Sequence, residues 1–289
     1  RYVRGDIYLF RKKNKWYRYV RKCIIKKYKL IKMKKNVIFF TALKANCQDM
    51  PDYMKYSLKT WKHYAKKYNC EIFILEDPVF ENTNRTRPTW QRWWVYDLLE
   101  ANNIEYNQVA LIDLDVMVHH DCPDIFELSN NQYTGVVDDL SIEWTVNSIN
   151  GYQHLFPNVN LDWTTYINNG VLILPLKGGK EFCNKVKEFY LKNEDELCDL
   201  QFNTLRKGTD QTPINFLAKE FFGDDINFIS KKFNMTHMPR TLAFAACHFT
   251  KRPIFTICSY IWHFNGIERD ERTTYMKQTW EYLEKGYED

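Results

Sequence analysis

The 289-residue sequence has no apolar run approaching the roughly 18 residues of a membrane-crossing helix, and its longest candidate, Val37 to Leu43, is far too short. No secretory leader is visible. Eight cysteines stand at positions 23, 47, 70, 122, 183, 198, 247 and 258, with neither a Cys-x-x-Cys pair nor a Cys/His zinc spacing among them. In a chain of this length such scatter points to free thiols in a reducing, cytoplasmic compartment rather than to a disulfide framework. The Gly-x-Gly-x-x-Gly turn and the P-loop are also missing, so a nucleotide held here needs another means of neutralising its phosphates. The first residue is Arg1 rather than Met, and further sequence upstream is expected.

The remaining composition is that of a globular protein: 45% hydrophobic, with length for one large α/β domain or two small ones. The formal charge of +5 conceals a division. Residues 1–35 hold 15 Lys and Arg against one acid, Asp6, whereas the remainder holds 26 bases and 35 acids. The leader interleaves its bases with Ile7-Tyr8-Leu9-Phe10, Trp16-Tyr17, Ile24-Ile25 and Leu30-Ile31, which reads as a basic amphipathic helix. It suits peripheral contact with an anionic membrane, packing against the acidic body or assembly with another copy; nucleic acid is the least favoured partner.

The body is organised around Val109-Ala110-Leu111-Ile112-Asp113-Leu114-Asp115. Its apolar half reads as a strand buried on both faces of a parallel sheet. In open α/β sheets ligands bind at the carboxyl ends of strands, where Asp113 and Asp115 fall. Two carboxylates this close repel unless a cation joins them. The alternatives are an ordinary acidic turn and a divalent metal holding a phosphate-bearing ligand.

Around that stretch the pattern predicts a βαβ opening. The strand Val37–Phe40 ends at Thr41, and a helix over about 50–68 follows with Met54, Leu58, Trp61, Ala65 and Tyr68 on its buried face. The next strand is Glu71–Leu75. A loop holding Arg85 and Arg87 leads to a helix over about 89–101 with Trp90, Trp93 and Trp94, read as core. Arg92 on this helix is either a solvated charge or an anion contact. Val116–Val118, Gly135–Val137 and Val171–Leu174 read as strands, and residues 140–166 as an irregular loop beside the site. Helices are expected over about 180–193 and from Asp210 to Gly223, with Asp210 as N-cap. Ile254 to Phe264 reads as a strand. His119 and His120 are weak candidates for additional metal ligands.

Four signatures in this order carry a resemblance: Leu111-Ile112-Asp113-Leu114-Asp115, Tyr166-Ile167-Asn168-Asn169-Gly170-Val171, Asp210-Gln211 opening a helix, and His263-Phe264-Asn265-Gly266. Over about residues 37–280 the chain resembles glycosyltransferases of the GT-A fold, most closely family 8, which includes glycogenin and the lipopolysaccharide galactosyl- and glucosyltransferases. The resemblance implies an α/β, Rossmann-like mixed sheet with flanking helices. It divides into a nucleotide-sugar half (37–140) and an acceptor half (141–289), preceded by the basic extension 1–36. It further implies an Asp-x-Asp hexosyltransferase with Mn²⁺, or Mg²⁺, held by Asp113, Asp115 and His263. Thr41, Arg92 and Gly266 would lie along the donor, and Asp138 and Asn168 would hold its sugar. Asp210 and Gln211 would stand at the anomeric carbon and the departing phosphate. Arg269 occupies the place of the family's pyrophosphate-binding lysine, while Trp280 is displaced from the family's pattern.

The expected reaction moves a sugar from a nucleotide-sugar, by family habit a UDP-sugar, to a hydroxyl of a glycan, glycolipid or protein, with retention. Two rivals remain. A sugar-phosphate nucleotidyltransferase usually has a glycine-rich first loop, and residues 43–51 contain no glycine. A non-catalytic, basic-tailed adaptor would have no reason to retain Asp113, Asp115 and His263.

Overall fold

The computed structural model describes residues 10–12, 15–17, 34–43, 50–80, 88–138, 141–236 and 253–288. The chain forms two units, 1–33 and 34–289. In the first, β1 (Phe10–Lys12) pairs antiparallel with β2 (Lys15–Tyr17). A helix was expected there; the described residues instead form two short paired strands, in keeping with the strand preference of Phe10, Trp16 and Tyr17. The rest of the leader, and Arg85 and Arg87, lie outside the described residues.

The second unit is built on a six-stranded mixed sheet in the order β4-β3-β5-β8-β7-β9. Its strands are β3 (Lys35–Thr41), β4 (Glu71–Leu75), β5 (Tyr106–Ile112), β7 (Thr134–Val137), β8 (Ile167–Leu174) and β9 (Asn227–Phe228). A two-stranded antiparallel ladder joins β6 (Val116–Val118) to β10 (Ile261–His263). Strand β3 runs parallel to β4 and β5, whereas β8 is antiparallel to both β5 and β7.

Alternation along the central strands supplies a core on each face. Val37, Phe39, Val109, Leu111, Leu172 and Leu174 face one layer, where they meet Trp90, Trp93, Phe182 and Phe216. Ile38, Phe40, Ala110, Ile112, Val171 and Ile173 face the other, with Trp61, Tyr64, Val116 and Phe126. A third cluster joins Met117, Trp262 and Phe264 to Met276 and Leu283 of the C-terminal helix Arg269–Leu283. Both faces of β8 are therefore covered, which is why all of its residues are buried.

Several elements differ from their sequence-based expectation. Helix α1 (Met54–Lys67) buries Ser57, Thr60, Trp61 and Tyr64, a face rotated away from Met54 and Leu58. Hydrogen bonds explain the rotation, because Ser57 Oγ and Trp61 Nε1 both donate to the Val116 carbonyl, at 2.6 and 3.0 Å. The helix expected over 89–101 is broken into α2 (Pro88–Gln91), a 3₁₀ turn at Arg92–Trp94 and α3 (Val95–Ala101). Residues 140–166 are not a loop throughout. After the short helix α4 (Ile125–Leu128), helix α5 (Ile142–Tyr152) starts at Ser141, whose hydroxyl accepts from Trp144 N. Helices α6 (Gly179–Asp199) and α7 (Gln211–Phe222) follow; α6 runs past its expected end through a kink at Asn193. The run Ile254–Phe264 is a helical turn, Phe255–Cys258, followed by β10. No helix among the described residues is long and apolar enough to cross a membrane.

Candidate active site

The backbone brings the candidate residues to the carboxyl end of β5. Asp113 N donates to the Gly170 carbonyl at 3.0 Å, extending the β5–β8 ladder just beyond Ile112. The chain then turns, with Val116 N donating to the Asp113 carbonyl, and enters β6. There His263 of β10 is paired with Val116, and Phe264 N donates to the Asp115 carbonyl at 2.9 Å. Asp113, Asp115 and His263 are thus fixed by main-chain bonds on both sides.

Each aspartate has one carboxylate oxygen tied to an arginine and the other turned toward His263. Asp113 Oδ1 lies 2.9 Å from Arg92 Nη1, and Asp115 Oδ2 lies 3.0 Å from Arg272 Nη1. Asp113 Oδ2 and Asp115 Oδ1 stand 3.7 and 3.3 Å from His263 Nε2. One ligand atom from each of the three residues falls within 4.8 Å of the others. Adjacent ligands of an octahedral ion with bonds near 2.1 Å are separated by about 3 Å. Two carboxylate oxygens and an imidazole nitrogen at this spacing fit a divalent ion such as Mn²⁺ or Mg²⁺.

Electrostatics separate the two aspartates. Burial alone would raise the Asp115 carboxyl, but His263 and then Arg272 outweigh it and hold the group at about 2. For Asp113 burial wins over Arg92 and His263, and the carboxyl is pushed above its ordinary range. Burial would also lower the Arg92 pKa, yet Asp210 and Asp113 raise it, so this guanidinium stays charged.

Arg92 explains the break in the helix that carries it. It is 3% exposed, and its Nη2 bonds Asp210 Oδ2 at 2.7 Å while Nη1 reaches the Asn169 carbonyl at 3.1 Å. The 3₁₀ turn supplies a tighter local geometry at the residue that must reach both carboxylates. Arg92 is therefore not a solvated charge: the anions around it are the protein's own. Asp210 precedes α7 in the N-cap position but makes no capping bond through its side chain, which is committed to Arg92.

A second network lies alongside. Asp138 Oδ2 accepts from Asn168 Nδ2 at 3.1 Å and from Gln211 Nε2 at 2.8 Å. Gln211 Oε1 in turn accepts from Asn169 N at 3.1 Å. Asp138, Asn168 and Gln211 are thus joined to one another; Asn169, bonded to Gln211, also reaches Asp210 Oδ2 through Nδ2 at 3.5 Å, and Arg92 ties Asp210 to Asp113. Thr41 ends β3, half-buried, opposite Leu75 of β4. Gly266 takes a left-handed φ of 65° in the turn leaving β10, a conformation glycine adopts without strain.

Arg269 opens the C-terminal helix and lines a hollow of about 420 Å³ with Asp52, Asp270 and Thr273. One turn later, Arg272 is the residue that reaches Asp115, and it also donates to the Ile267 carbonyl at 2.7 Å. Sequence reasoning missed Arg272, although its three-residue offset from Arg269 places both on neighbouring positions of one helix face. It also passed over Asn234. Asn234 is 1% exposed and donates through Nδ2 to Asn168 Oδ1 at 3.0 Å. His119, His120 and Asp121 form a separate cluster at the far end of β6 and do not join Asp113. Trp90 and Trp93 are core residues, and Trp94 packs edge-on against Phe80.

No protein-family model matches the chain, and no curated protein does. Solved structures do. The apo structure of WbbM, a bifunctional glycosyltransferase, superposes with a TM-score of 0.51 at 17% identity, covering 88% of this chain. The match takes in 50% of WbbM, so this chain corresponds to half of that protein. The chain has the GT-A glycosyltransferase fold. A glycosyltransferase involved in glycosylation of the major capsid of PBCV-1 aligns at TM-score 0.49 and 14% identity, over 84% of this chain and 98% of its own. The galactosyltransferase LgtC, in complex with donor and acceptor sugar analogs, aligns at 0.44 and 16%, over 84% and 95%. In this GT-A chain Asp113-x-Asp115 lies at the carboxyl end of a central strand, the place where open α/β sheets bind ligands.

Proposed function

We propose that the protein transfers a sugar from a nucleotide-sugar, a UDP-sugar, to a hydroxyl of a glycan, glycolipid or protein, and that it requires a divalent cation. The convergence of Asp113 Oδ2, Asp115 Oδ1 and His263 Nε2 at the ligand-binding end of a GT-A sheet carries this reading. Those three residues would hold Mn²⁺, or Mg²⁺. The bound ion would neutralise charge building on the departing diphosphate.

The chain's own residues would supply the rest. Arg92 restrains Asp113 and Asp210 in one fork, so the carboxylates near the reacting carbon are preset rather than gathered on binding. With Arg92 against it, Asp210 is better suited to stabilising a developing oxocarbenium charge than to attacking it. Gln211 and Asp138, already joined, would present hydrogen-bonding groups to the donor sugar together with Asn168. Thr41, Gly266 and Arg269 would border the nucleotide, with Arg269 offering a guanidinium to phosphate. Retention of anomeric configuration follows from the family 8 resemblance; an inverted product linkage, read by NMR, would overturn it. The cationic leader is the proposed membrane contact, and loss of binding to anionic vesicles on deleting residues 1–35 is its test.

The deciding experiment measures nucleotide release from a panel of UDP- and GDP-sugars, with and without Mn²⁺, using the wild type and Asp115→Ala. Release from one donor that needs both metal and Asp115 is expected. Release that persists without either would remove the metal from the reaction.

A further inference from the structure

Asn168 sits behind the candidate metal ligands, 3% exposed, and its two amide ends face different chemistry. Its Oδ1 is approached by Gly170 N at 3.0 Å, Asn234 Nδ2 at 3.0 Å and His263 Nδ1 at 3.1 Å. Its Nδ2 points to the Asp138 carboxylate at 3.1 Å. The amide has one consistent orientation. A backbone N–H only donates, so the atom facing Gly170 is the oxygen; a carboxylate only accepts, so the atom facing Asp138 is the nitrogen.

This orientation decides the state of His263. An amide oxygen can only accept, so the imidazole nitrogen 3.1 Å away must carry the hydrogen. In the neutral ring the Nδ1–H form leaves Nε2 with a bare lone pair, and Nε2 is the atom turned toward Asp113 and Asp115. A lone pair facing two carboxylate oxygens is repulsive unless a cation or a proton lies between them. Asn234, 1% exposed, donates to the same oxygen while its own Oδ1 is buried without a partner among the described residues. An unpaired buried carbonyl is costly, and its retention favours a role for the Nδ2 donor on the other side.

We propose that Asn168, held in register by Asn234, is a positioning residue that fixes His263 as the Nδ1–H tautomer and so presents Nε2 to a divalent ion. The ring occupies the space that a Cβ at position 170 would need, so the glycine there is what admits it. An outer partner that holds a ligating histidine's second nitrogen commonly changes metal affinity 10- to 100-fold when removed. The inference rests on the reading of Asp113, Asp115 and His263 as metal ligands, but not on the sugar transferred.

The test is ¹⁵N NMR of the metal-free, full-length protein at about pH 9, where histidine rings are neutral, with the His263 ring assigned by comparison with His263→Gln. The wild type should show hydrogen on Nδ1. Asn168→Ala should move the ring toward the Nε2–H form and weaken Mn²⁺ binding by about 10- to 100-fold in calorimetry. Asn168→Asp keeps an acceptor at this position and should keep the tautomer, whatever its effect on stability. Asn234→Ala tests the same contact should Asn168→Ala not fold, and a several-fold weaker Mn²⁺ affinity is expected from it. A wild-type ring in the Nε2–H form overturns the proposal, as do unchanged tautomer and Mn²⁺ affinity in both alanine variants. A locked tautomer with no turnover of any donor would sink the transferase reading and leave this one standing.

Discussion

Arg92 concentrates the energetics of the site in one side chain. Its fork holds Asp113 and Asp210, the latter buried beside it, and removing it strips Asp210 of its cation and leaves Asp113 with His263 alone. Arg92→Met should lower stability by about 3–5 kcal/mol, the range for breaking a buried ion pair from one side, measured from urea unfolding. Arg92→Lys should not restore the wild-type value, because a point charge cannot span both partners. A second residue sets an acid limit. Burial, with His120 beside it, lowers the His119 pKa from 6.5 to about 4. The unfolded chain then binds more protons than the folded one between those values, so stability falls as pH drops from about 6.5 to about 4. His119→Gln keeps an acceptor for Asp121 N and removes this titration. Its melting temperature should fall less than the wild type's between pH 7 and pH 4.

At the scale of elements, β8 is both a core strand and a scaffold for the site. Gly170 lies in this strand with the His263 ring against it. Gly170→Ala should displace the imidazole and sharply weaken Mn²⁺ binding, while the β5–β8 ladder and the far-UV circular dichroism persist; Mn²⁺ calorimetry alongside the spectrum checks this. The strands β3 and β5 and the second half of β8 were legible in the sequence because burial on two faces demands uninterrupted apolar runs; the first half of β8, Ile167–Gly170, was not, because Asn168, Asn169 and Gly170 break the run and read as a turn, although all three are buried in the strand. Helix α5 was not: Glu143, Asn147 and Asn150 interrupt its apolar pattern, and its start depends on the Ser141 cap. The face of α1 was misread because Ser57 and Thr60 are buried by hydrogen bonding, to which a hydrophobic count is blind. Among site residues, Asp113, Asp115 and His263 carried a motif. Arg272 and Asn234 carried none, since their roles depend on where the C-terminal helix and the chain before β10 come to rest.

For the whole molecule, binding and folding are one equilibrium. An ion held by the native arrangement of Asp113, Asp115 and His263 stabilises that state by about 2.7 kcal/mol at a concentration 100 times its dissociation constant. For a unit of this size that corresponds to a rise in melting temperature of roughly 5–10 °C. Mn²⁺ should produce such a rise in the wild type, EDTA should reverse it, and Asp115→Asn should show neither effect. Measurement by scanning calorimetry at fixed pH separates this from the His119 titration.

The site draws on positions 92, 113, 115, 168, 210, 263 and 272, most of the length of the second unit. Strand β8 can enter the sheet only after the 54 residues separating it from β5, 113–166, have closed into a loop, and β10 reaches β6 across a still longer span. Closures of that order are late events on a folding pathway. Manganese affinity should therefore appear in the last and slowest phase of refolding, well after the early rise in helical signal. Stopped-flow mixing with Mn²⁺ would follow it, and affinity gained within the dead time would mean that the ligands meet in a collapsed chain before its topology is set.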